Sequence, residues 1–154
     1  MAVRYVVQTG DPVLRQVCAP VKSYNSELHT LLDDMRATVR AESGAGLAAP
    51  QIGVPLRVAV IDVEEGYFEL VNPRITYKKG EQRGPEGCLS VKGRQGTVKR
   101  PQKVKIEFRD RKGKKHTLTA EDFFARAVCH ELDHLDGVLY IDKADEVYDL
   151  SSED

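Results

Sequence analysis

Apolar positions follow two different rhythms along the chain. In "NSELHTLLDDMRATVRAESG" (25–44), Leu28, Leu31, Leu32, Met35 and Val39 recur at three-to-four spacing, with Asn25 or Ser26 available as a cap and Gly44 just past the end. That period lines one face of an α-helix. "LRVAVIDV" (56–63) and "FELVNPRITY" (68–77) are rich in β-branched residues and are separated by the turn-prone "EEG", which predicts a strand pair. "KVKIEFRD" alternates, with Val104, Ile106 and Phe108 against Lys105, Glu107 and Arg109, and "RDRKGKKHTLT" turns it back into another strand. A second helix is expected from about Thr119, capped with Asp122 three residues on, to a stop at Gly137. Phe124, Val128, Leu132 and Leu135 give it an apolar stripe, while His130 and His134 share an adjacent face with Phe123 and Ala127. Helix, strands and helix without βαβ alternation predict an α+β fold, with antiparallel sheets packed around a central helix that carries both histidines.

Composition narrows the class. The 154 residues are 41% hydrophobic and 31% charged with a formal net charge of -1, the profile of one soluble domain, 1–154, with a short acidic tail from about 145. No apolar run approaches the roughly 20 residues that cross a bilayer, and "MAVRYVVQTGDP" is too short and polar-flanked for a secretory signal, so no membrane partner and a cytoplasmic location are expected. Three cysteines at irregular spacing, Cys18, Cys88 and Cys129, argue against a disulfide framework and leave a thiolate ligand open. The stretch 91–115 gathers eleven of the 23 Lys and Arg residues. A solvated hairpin face explains it better than an RNA-docking patch, and no specific nucleic acid is expected as a partner.

The chemistry concentrates in "AVCHELDHLDG" (127–137). Histidines four apart on a helix reach one metal ion together, with Glu131 at its edge. Random placement of four His and twelve Glu in 154 positions gives His-Glu-x-x-His on the order of 0.01 times, so chance is a weak competitor. A catalytic site needs a third protein ligand and one open position. The metzincin pattern has a histidine where Tyr140 stands, and the thermolysin pattern needs a downstream glutamate where only Glu146 and Glu153 occur. Upstream, "GPEGCLSV" presents Cys88 in a Gly-flanked, strand-like segment, which makes it the third ligand. Cys129 projects about 100° away from His130 and reads as a core thiol, as does Cys18. His29 and His116 read as solvated or locally bonded.

Three segments together, "GAGLAAPQ" (44–51), "EGCLS" (86–90) and "HELDH" (130–134), resemble the signature motifs of the peptide deformylase family, in order and in spacing. The resemblance runs from about Val6 to Tyr140. It implies hydrolysis of the N-terminal formyl group from N-formyl-methionyl nascent peptides, releasing formate. By the same resemblance Cys88, His130 and His134 bind one divalent ion, natively Fe2+ and replaceable by Zn2+, Ni2+ or Co2+. Glu131 is implied as general base and then acid, with the Gln51 amide and the Leu89 backbone N–H as oxyanion donors. Gly44, Ala45, Gly46, Glu86, Phe123 and Ala127 are expected along the substrate, with Leu89 as a further wall. Glu86 is expected to bond backbone near the site, and Asp133 with Arg100 to support the imidazoles. Many bacterial members carry a basic C-terminal helix that docks on the ribosome. Here "VYDLSSED" is short and acidic, so transient ribosome contact is expected through 91–115 instead. The competing reading is a metal-dependent endopeptidase of the His-Glu-x-x-His type, indifferent to Cys88.

Overall fold

The computed structural model describes residues 1–150. After a 3-10 turn at Pro12–Arg15, α1 spans Ser26–Ala41, capped by the Asn25 side chain, which accepts from the Leu28 N–H. Its end differs in detail from expectation. Ser43 N–H donates to Arg40 O and Gly44 N–H to Val39 O, so the left-handed residue that closes the helix is Ser43 (φ 54°), one position before the glycine. Gly44 is small for another reason: a Cβ there would stand 3.0 Å from Leu89 Cδ1.

Strands β1 (Gly46–Ala48), β2 (Val58–Val63), β3 (Gly66–Lys79), β6 (Lys103–Arg109) and β7 (Lys115–Glu121) form a five-stranded antiparallel sheet in the order β1-β2-β3-β6-β7. Strands β4 (Gln82–Cys88), β5 (Val91–Arg100) and β8 (Glu146–Asp149) form a second sheet in the order β4-β5-β8. Strand β2 is buried on both sides. Val58 and Val60 join Leu28, Leu32, Met35 and Val39 of α1, while Ile61 joins the cluster around Phe124, Val128 and Leu132. Helix α2 (Asp122–Leu135) carries those last residues, packs on β1, β2 and β7, and meets β5 of the small sheet on another side. It is the central helix foreseen from the pattern, with Gly137 (φ 76°) at its close. Gly137 N–H bonds His134 O and Val138 N–H bonds Asp133 O. A short helix α3 (Tyr140–Lys143) leads back to β8.

Three expectations change. The second helix starts at Asp122 rather than near Thr119, because Thr117 and Thr119 pair with Glu107 and Lys105 and the ladder runs on to Glu121. Asp122 (φ 55°) makes the corner, its N–H donating to Gln102 O. The basic stretch 91–115 is no single hairpin face: it is divided between β5 of one sheet and β6 and the start of β7 of the other, and Arg100 is buried. The acidic segment from about 145 is strand β8 at 146–149, held against β5 with Arg94–Asp149 and Arg83–Asp145 ion pairs nearby. Its last residues, 151–154, lie outside the described residues.

Candidate metal centre and its cavity

Helix α2 presents His130, Glu131 and His134 toward the end of β4, where Cys88 closes the strand before the two-residue turn Leu89–Ser90. Ligand atoms of Cys88, His130 and His134 all lie within 4.8 Å of one another, and Cys88 Sγ is 3.3 Å from His134 Nε2. Both imidazoles are buried and the thiol is half-buried. A thiolate and two imidazoles suit a divalent transition ion, and three donors leave a coordination position open. His134 turns Nε2 toward the thiol, while its Nδ1 and Glu131 Oε1 are buried without a hydrogen bond among the described residues.

Glu131 lies deep against β1. A Cβ on Gly46 would stand 2.7 Å from its Oε2, so the absence of a side chain at 46 is what makes room for this carboxylate. Burial pushes its pKa up to about 7. Glu86 shows the opposite shift. Burial would raise it, but hydrogen bonds from Arg100 and His130 hold it well below the ordinary carboxylate range. Arg100 grips it with Nε and Nη2, both at 2.9 Å, Arg126 Nη1 adds a bond at 2.7 Å, and His130 Nδ1 lies 2.8 Å from Oε1. Two neighbouring carboxyl groups are thus driven apart, one fixed as an anion and one poised near neutrality.

Gln51 sits in the 3-10 turn Ala49–Ile52, 1% exposed. Its Oε1 accepts from the Ala48 N–H at 2.9 Å, which orients the amide so that Nε2 reaches Ser90 Oγ at 3.1 Å and lies 3.5 Å from Cys88 Sγ. A cavity of about 460 Å³ opens beside these groups. Cys88, His130, Glu131, Gln51 and Leu89 border it, as do Gly44, Ala45, Gly46, Glu86, Phe123 and Ala127. His134 is brought to the cluster but not to the cavity wall.

Support for the imidazoles is arranged differently from the sequence reading. Asp133 does bond Arg100, at 2.6 Å, and also Lys143, but it reaches neither imidazole. The His130 partner is Glu86 itself, whose carboxylate is spent on side chains rather than backbone. Arg126, absent from the sequence reading, completes that cage and also donates to Gly84 O and Val98 O. Two regularities pointed to it: Glu86 is two residues before Cys88 on one strand, and Arg126 is four before His130 on one helix face. His116 bonds the nearby Asp110, as expected of a locally bonded histidine, whereas His29 bonds Arg111 O, 82 positions away.

The family model for polypeptide deformylases matches residues 3–149. A peptide deformylase of Caldanaerobacter subterraneus is 54% identical over 143 residues, covering 93% of this chain and 90% of the relative. Among solved structures, a peptide deformylase from Legionella pneumophila superposes with a TM-score of 0.90 at 41% identity, covering 92% of this chain and 86% of that one. The peptide deformylase of Thermotoga maritima gives 0.92 at 33% identity, covering 95% and 100%.

Proposed function

The chain belongs to the polypeptide deformylase family and removes the formyl group from N-formyl peptides, and on that footing we propose how its own residues divide the work. Cys88, His130 and His134 hold one divalent ion, Fe2+ natively, with Zn2+, Ni2+ or Co2+ able to substitute. The observation that carries this is the convergence of their ligand atoms within 4.8 Å beside a buried glutamate at an open cavity. A bound ion supplies Lewis acidity, lowering the pKa of a water toward neutrality.

Glu131 takes the proton of the attacking water and returns it to the leaving amine of methionine, a task suited to a carboxyl titrating near 7. The Gln51 Nε2 amide and the Leu89 backbone N–H steady the negative oxygen that develops on the formyl carbon. Gln51 is already oriented for this by its bond from Ala48. Glu86, clamped by two arginines, holds the His130 ring by its Nδ1. Gly44, Ala45, Gly46, Phe123 and Ala127 line the substrate's path, with methionine as the first side chain. Residues 1–154 act as one catalytic domain in the cytoplasm, on nascent chains. No helix among the described residues is long and apolar enough to cross a membrane. Transient ribosome contact through 91–115 draws on its other cations, since Arg94 is paired with Asp149 and Arg100 is buried in the Glu86 cage.

The test is formate release from a formyl-Met peptide by iron-loaded protein prepared without oxygen, beside Glu131→Ala with metal content measured in both. Turnover in the parent and its loss in a variant that retains metal are expected. Cleavage of internal peptide bonds without formate would instead favour an endopeptidase.

A further inference from the structure

None of the three signature segments supplies one wall of the cavity. Gly93, Arg94 and Gln95 of β5 line it, and so does Leu150, directly after β8. Antiparallel pairing sets Arg94 opposite Asp149 and Gln95 opposite Tyr148. Two bonds fix the corner: the Leu150 N–H donates to Gly93 O at 2.8 Å, and Arg94 Nε donates to Asp149 Oδ1 at 3.2 Å. Gly93 (φ 79°) has open space where a Cβ would stand, so the backbone there offers no side chain of its own.

A single exposed leucine is ordinary on a protein surface. Leu150 differs in its place: it is 49% exposed and borders the concavity that continues from Cys88 and Glu131. Phe123, 58% exposed, borders the same cavity from α2. Both therefore have apolar surface left to bury, while Lys92, Arg94 and Gln95 around them are polar. A peptide whose first side chain lies beside the reacting carbonyl extends by about 3.3 Å per residue, so the side chains that follow can reach such a wall.

We infer that Leu150 is a specificity-determining residue, contacting an apolar side chain that follows the formyl-methionine of the substrate. The inference rests on the deformylase reading and deepens it. It makes the strand β8 corner a part of peptide selection, and bulky apolar residues after methionine are favoured over glycine.

The experiment compares kcat/KM for formyl-Met-Leu-Ser, formyl-Met-Ser-Leu and formyl-Met-Gly-Ser, using the metal-loaded full chain, Leu150→Ser and Leu150→Met. Each comparison is a ratio on one preparation, so metal occupancy cancels. The parent should prefer a leucine peptide. Leu150→Ser should lower that leucine-to-glycine ratio about 5-fold, the scale for losing part of one leucine contact, through KM rather than kcat, and Leu150→Met should restore it. A ratio equal in parent and Leu150→Ser overturns the inference and leaves the deformylase reading standing. A purely structural role gives that result, with kcat falling alike for every peptide. No formate from any peptide with the loaded parent overturns the deformylase reading and this inference with it.

Discussion

Replacing Glu86 by glutamine keeps the side chain's shape and removes its charge. In the parent, two carboxylate oxygens receive four contacts, from Arg100 twice, from Arg126 and from His130, and the Glu86 side chain is 4% exposed. Whichever way the amide is turned, its NH2 faces two donors. Two charge-assisted bonds are lost, each worth about 1.5–3 kcal/mol, and the buried Arg126 guanidinium loses its carboxylate partner while Arg100 keeps Asp133 alone. Breaking a buried pair from one side costs roughly 3–5 kcal/mol. At about 2–4 °C per kcal/mol for a chain of this size, Tm should fall by roughly 6–20 °C. In either orientation of the amide His130 loses its anionic Nδ1 acceptor, keeping at best a neutral amide oxygen, and metal affinity should drop about 10–100-fold. Denaturant unfolding of metal-free parent and variant measures the first quantity without linkage from bound ion, and competition with a chelator measures the second. The pH dependence has a definite sign. Glu86 is depressed in the folded protein, so its contribution is present above the unfolded carboxyl value of about 4.3 and is lost as pH falls toward the folded value. Parent and variant should therefore converge in acid. A Glu86→Gln protein within about 1 kcal/mol of the parent at pH 7, with metal affinity unchanged, would refute the cage as the support of His130.

Other expected outcomes follow from single contacts. Gly46→Ala drives a Cβ to 2.7 Å from the Glu131 carboxylate and 2.9 Å from its Cγ, so turnover should fall about 100-fold, and thermal scans should show a loss of about 1–3 kcal/mol because a buried side chain must give along its length. Gly137→Ala combines φ 76° with a Cβ 2.5 Å from Arg15 O. Calorimetry should find at least about 3 kcal/mol of destabilisation. Removing the metal should expose one fast-reacting thiol, Cys88, to an aromatic disulfide reagent. Cys18 and Cys129 are buried with pKa values raised by that burial, so they should react only on unfolding, and reloading the ion should protect Cys88.

The parts of the fold that were legible in the sequence are those governed by local period. Leu28 through Val39 and Phe124 through Leu135 mark two helices whose faces the structure buries, and the alternation at Val104 and Ile106 marks β6. The second sheet was harder to see. Strand β5, "VKGRQGTVKR", holds two glycines and four cations, and β8 reads as a polar tail, so neither has a strand's usual composition. Strand β8 takes its form from pairing with β5 some fifty positions away, and β5 from its hairpin with β4 as well. In the site, the two histidines and Cys88 were readable from spacing and flanking glycines. The Glu86 cage was not, since its partners lie 14, 40 and 44 positions away: β4–β5 pairing brings in Arg100, and docking of the small sheet on α2 brings in Arg126 and His130.

That same separation bears on how the molecule opens and closes. Cys88 belongs to the small sheet and both histidines to the helix seated on the large one, with the cage of Glu86, Arg100 and Arg126 spanning the same seam. Contacts of such long range form late on a folding route, after the loops between them have closed. The cluster can therefore exist only in molecules whose two sheets have already docked, and a bound ion acts as a clasp on a cooperative unit made of β4, β5 and β8. Amide exchange in those three strands should quicken when the ion is removed, while β2 and β3 keep the protection of the global fold.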